Sequence, residues 1–175
     1  QFVTLRDLRK EVGNDAARFY YVMRKSEQHI DFDLDLAVSQ SKDNAVYYIQ
    51  YAHARVNRMV DVRAPEKNIP FDRSQLKNYD ASLLSADTET EILAKLAAYP
   101  EIVTRAANSY EPHQIGNYLK ELAALFHGWY AQEDVKILDE QNVALSQARL
   151  LLSLNVQQVI RNGLELLGVS APESM

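Results

Sequence analysis

Only five glycines and five prolines punctuate 175 residues, and between them the apolar residues recur with helical period. "TLRDLRKEVG" opens with Thr4, carries Asp7 three residues on and stops at Gly13, a relative of the capping box with a C-terminal glycine. "NDAARFYYVMRK" follows, with Asn14 or Asp15 as cap and Lys25 near its end. "DFDLDLA" alternates like a strand, but no partner strand follows. It therefore reads as an extended lead into a helix at about 35–42. The next helix runs from Asn44 to about Val60, and a loop with Pro65 and Pro70 occupies 61–80. "TETEILAKLAAY" takes Asp87 or Thr88 as cap. "PEIVTRAANSY" starts on Pro100 and "PHQIGNYLKELAALFHGWYA" on Pro112, at the position where a missing N–H costs nothing. A last long segment, about Asn142 to Leu167, carries an interrupting Asn162-Gly163 and ends at Gly168. The expected fold is all-α, a bundle of about five to seven helices.

The chain lacks cysteine, which excludes a disulfide scaffold, cysteine–zinc sites and thiol catalysis, and suits the cytoplasm. No apolar run reaches the roughly 18 residues of a membrane span. The chain opens on Gln1, so a piece of a longer protein or a processed product is expected. Net charge is −5, unevenly spread: ten Lys/Arg face nine Asp/Glu over residues 1–63, and nine face fifteen over 64–175. Such a chain can still bind RNA through a local basic-aromatic patch.

"AVYYIQYAHAR", residues 45–55, supplies that patch. On a helical wheel Tyr47, Tyr48, Tyr51, Arg55 and Arg58 share about one quadrant. Ile49, Ala52, Val56 and Met59 form a separate apolar face, with Leu119, Leu122, Phe126, Leu151, Leu154 and Ile160 as expected core companions. Tyrosine rings and guanidinium planes accept stacked bases, and arginines pair with phosphates. The plainer reading makes the tyrosines amphipathic packing residues under another helix. If the face points away from the core, replacing Tyr48, Tyr51 or Arg55 should leave stability nearly unchanged.

"VYYIQYAHAR" after "DAARFYYVMRKSEQHIDFDLDLAVSQ" resembles the stretch behind the active site of arginyl-tRNA synthetases. "FVTLRDL" is similar to the segment that follows their lysine–methionine–serine–lysine loop. "EPHQIGNYLKELAALFHGWYA" and "LLLSLNVQQVIRNGLELLGVSAPESM" are similar to their anticodon-binding bundle and tail. The resemblance implies the C-terminal part of a class I synthetase. Residues 1–42 would be the end of the catalytic region with stem-contact helices, and 43–175 a DALR-type anticodon-binding bundle. It implies that Tyr48, Tyr51, Arg55 and the terminal Met175 meet the anticodon of tRNA(Arg), with Tyr47 and Arg58 as additional RNA contacts. The family tail reads alanine–proline–glutamate–arginine–methionine; here Ser174 stands in place of the arginine. The ATP-binding signatures of the family are absent, so no catalytic residue is expected and no cofactor. ATP and magnesium would serve the full-length ligase, and tRNA(Arg) would be the partner of a monomer, with no DNA and no membrane.

Other chemistry is thinly marked. His29, His53, His113 and His127 form no i, i+4 pair, and no metal site is expected. His53 reads as a satisfied structural histidine. Asp31, Asp33 and Asp35 lack the glycine and closing glutamate of a calcium loop and read as a solvated edge. "HGWY", 127–130, reads as core plus rim, with Trp129 buried. Two alternatives stay open: an acidic helical bundle that binds a basic protein partner without RNA, and an independent enzyme, for which no acid–base pair or nucleophile is clustered.

Overall fold

Thr4 starts the first helix as its spacing to Asp7 requires: its hydroxyl accepts from Asp7 N at 3.2 Å, and α1 (Leu5–Val12) ends at Gly13 with φ 85°. The computed structural model describes residues 4–24 and 33–175; Lys25, His29 and Asp31 lie outside them. Among the described residues there is no strand, and seven helices have eight residues or more. α2 (Asn14–Val22) has no side-chain cap, neither Asn14 nor Asp15. Asp15 instead accepts from Gln50 Nε2 at 2.9 Å and from Ser170 N at 3.2 Å, which ties α2 to the fourth helix and to the tail.

α3 (Leu34–Val38) is shorter than the expected 35–42 and starts on Asp33, whose carboxylate accepts from Leu36 N. The reason for the early stop lies in Asn44. Its buried amide donates to the carbonyls of Ala37 and Ser39 at 3.1 and 2.8 Å, so they serve as acceptors for a side chain. The same residue then caps α4 (Ala45–Arg58).

The expected loop at 61–80 is corrected at its start. α4 runs into a π-helical turn, Met59–Arg63, and a last turn, α5 (Ala64–Glu66), with Pro65 in the position that needs no N–H. Val56, Val60 and Ala64 are all buried, at steps of four residues, so the core face continues through the turn. Beyond Glu66 the chain is irregular, with short 3₁₀ turns at Leu76–Asn78 and Ala81–Leu83.

α6 (Asp87–Ala97) is capped neither by Asp87 nor by Thr88. Glu89 reaches back to accept from Ser85 N and Ala86 N, and pairs with Arg149 at 2.6 Å in the interior. α7 (Tyr99–Ser109) and α8 (His113–Ala131) follow, the latter beginning just after Pro112. α9 (Val143–Leu166) runs unbroken through Asn162-Gly163. Gly163 serves close packing: a Cβ there would lie 2.7 and 2.9 Å from the Leu119 methyls.

The core sits where α4, α8 and α9 meet. Ile49, Ala52, Val56, Leu119, Leu122, Phe126 and Ile160 are fully buried, as the wheel predicted. Leu151 and Leu154 are only half-buried; Leu150, Leu152, Val156 and Leu164 take the core positions of α9. α9 packs against α4, α6 and α8, so an apolar run such as "LLLSL" does not reveal its own phase.

Candidate nucleic-acid interface

Helical phase puts three different faces on α4. The core face is Ile49, Ala52, Val56. A second face holds the C-terminal tail. Gln50 Nε2 donates to Ser170 O at 2.9 Å, His53 Nδ1 to Pro172 O at 2.9 Å and Asn57 Nδ2 to Glu173 O at 3.3 Å. Because Nδ1 of His53 meets a carbonyl, it carries the proton. Nε2 is left to accept from Arg161 Nε at 3.3 Å. Burial pushes the His53 pKa below its ordinary value, the nearby Arg161 charge adding to this. His53 is thus the satisfied structural histidine that the sequence suggested.

The third face carries the rings. Tyr47 and Tyr51 stack with centroids 6.0 Å apart and planes within 9°. Arg55 lays its guanidinium over Tyr51 at 4.4 Å and over Tyr130 of α8 at 4.5 Å. Its Nη1 donates to His127 Nδ1 at 2.9 Å. A guanidinium has no acceptor, so Nδ1 carries the lone pair and Nε2 donates to Tyr48 O at 3.2 Å. The imidazole packs on Tyr48 at 4.4 Å and on Tyr51 at 5.7 Å. Burial lowers the His127 pKa to about 4; the bond to Tyr48 O opposes this and the Arg55 charge adds to it.

The packing reading of the tyrosines is met for Tyr48, and the rest of the face is only partly covered. α8 crosses the face, and Tyr47, Tyr48, Tyr51 and Arg55 are all half-buried. Tyr48 packs against the core edge, while Tyr51, Arg55 and Arg58 line an open groove of about 770 Å³. Glu173, Ser174 and Met175 of the tail also line it, as do Asp61, Val62 and Arg63 of the π turn. Tyr47 lines a neighbouring cleft that also includes Met175. Among the described residues Arg58 makes no ion pair, whereas Asp61 is held by Arg73 at 3.1 Å.

His127 and Tyr130 join the site although sequence reading left them as core and rim. A wheel drawn for α4 alone carries no signal for a contact 72 residues away. Trp129, between them, is buried as expected. Among the described residues no three His, Asp or Glu side chains are grouped to hold a metal.

Rings and a guanidinium gathered along one open groove have the build of a single-stranded nucleic-acid binder. The chain belongs to the DALR anticodon binding domain family, which matches residues 49–175. It is 74% identical over 175 residues to the arginine–tRNA ligase of Acinetobacter baumannii (strain AYE), covering all of this chain and 28% of that protein. It is 56% identical over 183 residues to the arginine–tRNA ligase of Psychrobacter sp. (strain PRwf-1), covering 30% of it. The chain thus spans less than a third of these relatives' length. Among solved structures, a putative arginyl-tRNA synthetase from Campylobacter jejuni superposes with TM-score 0.84 at 25% identity, over all of this chain and 36% of that one. The Thermus thermophilus arginyl-tRNA synthetase superposes with TM-score 0.74 at 29% identity, over 95% of this chain and 27% of that one.

Proposed function

We propose that this chain is the C-terminal, tRNA-reading part of an arginine–tRNA ligase, and that the α4 ring face receives the unpaired anticodon loop of tRNA(Arg). The observation that carries this reading is the gathering of Tyr51, Arg55, Arg58 and Met175 around one groove. Tyr51 offers a half-buried ring for a base. Tyr48, packed on the His127 ring that also meets Tyr51, lies beside it, and Tyr47 extends the stack. Arg58 meets phosphate, and Met175 closes on the loop from the tail. In the same reading residues 1–42 belong with the catalytic region and 43–175 with the anticodon-binding bundle. Arginyl transfer, with ATP and magnesium, falls to other parts of the longer protein. This protein would be a monomer that works in the cytoplasm.

The test is a fluorescence titration of the chain with arginine tRNA against an unrelated tRNA. Preferential binding that weakens with salt is expected. Tyr51→Ala should lose roughly 10- to 100-fold in affinity, the scale of one stacked base. Removing Met175 alone should weaken binding while Pro172 and Glu173 stay docked on α4. Equal affinity for both tRNAs, or indifference to Arg58→Ala and Tyr51→Ala, overturns the assignment of this face.

A further inference from the structure

The Arg55 guanidinium lies against Tyr130 of α8 and is hydrogen-bonded to a second side chain of that helix. His127 accepts from Arg55 Nη1 at 2.9 Å and fixes itself by donating to Tyr48 O at 3.2 Å. The imidazole ring packs on the Tyr48 and Tyr51 rings, so it also sets their spacing. We infer that His127 is a positioning residue for nucleic-acid binding: as the neutral Nε2–H tautomer it orients Arg55 across Tyr51 and Tyr130 and leaves the remaining guanidinium N–H groups free for the RNA. The inference rests on the proposed anticodon surface.

The alternatives for the imidazole are few. From α4 it faces Arg55, Tyr48 and Tyr51; on its own helix it faces Phe126, with Tyr130 on the far side of Arg55. Arg55 is the charged group that bears on its titration. A proton on Nδ1 would point at the Arg55 cation, and the bond would be replaced by repulsion. Acid should then release Arg55 from its place over the rings. The depressed His127 pKa, about 4, means that near neutral pH the clamp is fully formed.

Two variants separate holding from packing. His127→Phe keeps the ring and removes both hydrogen bonds. His127→Asn places an acceptor close to the Nδ1 position and drops the ring. The probe is an RNA hairpin whose loop carries an arginine anticodon, titrated by fluorescence anisotropy near pH 7. His127→Phe should lose about tenfold in affinity. Arg55→Met should lose at least as much, and the double variant no more than Arg55→Met alone, since the histidine acts through the arginine. His127→Asn should recover part of the loss. Additive losses, or wild-type affinity in a folded His127→Phe, overturn the inference.

Ring-nitrogen NMR tests the same clamp without RNA. It should show the Nε2–H tautomer, and Arg55→Met should raise the His127 pKa. An Nδ1–H tautomer, or a titration indifferent to Arg55, overturns the inference. If the wild-type chain binds no hairpin at all, the anticodon reading fails, and this spectroscopic arm still decides whether His127 holds Arg55.

Discussion

Replacing Arg55 by alanine should destabilise the free protein, against the expectation that a face turned from the core carries no stability. The guanidinium makes one charge-assisted hydrogen bond to His127 and lies 4.4 and 4.5 Å from two ring centroids. A hydrogen bond with a charged partner contributes about 1.5–3 kcal/mol. A partly solvated cation–ring contact contributes about 0.5–1 kcal/mol. Removal also leaves His127 Nδ1 without its partner, in a residue only 8% exposed. Half-exposure of Arg55 and relaxation of the rings offset part of this, so the net loss should be about 2–3 kcal/mol. For a domain of this size that corresponds to roughly 5–10 °C in Tm. Urea unfolding followed by the buried Trp129 reads it directly, because the midpoint should fall with an unchanged slope. Arg58→Ala is the control: it is exposed and should stay within about 0.5 kcal/mol of wild type. If Arg55→Ala and Arg58→Ala unfold at the same midpoint, Arg55 is a free surface charge. The account of the clamp then fails, whatever the RNA affinity shows.

Three further outcomes follow from the interior. His127 has a folded pKa near 4, below its unfolded value, so the unfolded chain binds the proton first and stability falls as pH drops. Between pH 7 and pH 5, above most carboxylate titrations, this one group should remove about 2 kcal/mol, with His53 acting in the same direction; urea midpoints across that window check it, and His127→Phe should flatten the slope. Glu89→Gln should cost about 3 kcal/mol or more, because Arg149 keeps a buried charge without its partner. Pairing it with Arg149→Met should recover much of the loss, as equilibrium unfolding would show. Gly163→Ala gains about 1 kcal/mol of helix propensity but drives a methyl into Leu119, for a net loss of about 1 kcal/mol; a higher Tm would show that α8 and α9 can separate without cost.

Much of the fold was legible because helices write their period into the chain. The α4 wheel separated Ile49, Ala52 and Val56 from the tyrosines correctly, since apolar and aromatic residues alternate around that helix. The misses share a cause. Gly163 looks like a helix breaker until Leu119 is seen against it. Leu151 and Leu152 are indistinguishable in an apolar run, and only contacts with α4, α6 and α8 choose between them. The π turn at Met59–Arg63 leaves no mark in the apolar pattern, because Val56, Val60 and Ala64 keep the four-residue spacing of an ordinary helix. Glu89 caps α6 from within the first turn, a role shared with its distant pairing to Arg149. His127 and Tyr130 entered the site for the same reason: their partners lie on α4.

The density of aromatic and polar residues on α4 now has a physical account. Three faces of this helix have separate partners, so few of its positions are left to plain solvent. The core takes Ile49, Ala52 and Val56. The tail takes Gln50, His53 and Asn57, whose side chains donate to three backbone carbonyls in place of water. α8 and the groove take Tyr47, Tyr48, Tyr51 and Arg55. Two histidines, His53 and His127, do comparable work with opposite tautomers. His53 donates from Nδ1 to a tail carbonyl and accepts from Arg161; His127 accepts from Arg55 at Nδ1 and donates from Nε2 to Tyr48 O. Each pairs a neutral ring with an arginine, so each loses its bond when the ring is protonated. The tail and the ring face are thereby anchored on the same helix within one turn of each other. A change that frees the tail by loosening His53 should also alter the groove that Met175 lines. Tyr51 and Met175 should for that reason couple in a double-mutant cycle although they lie 124 positions apart in the sequence.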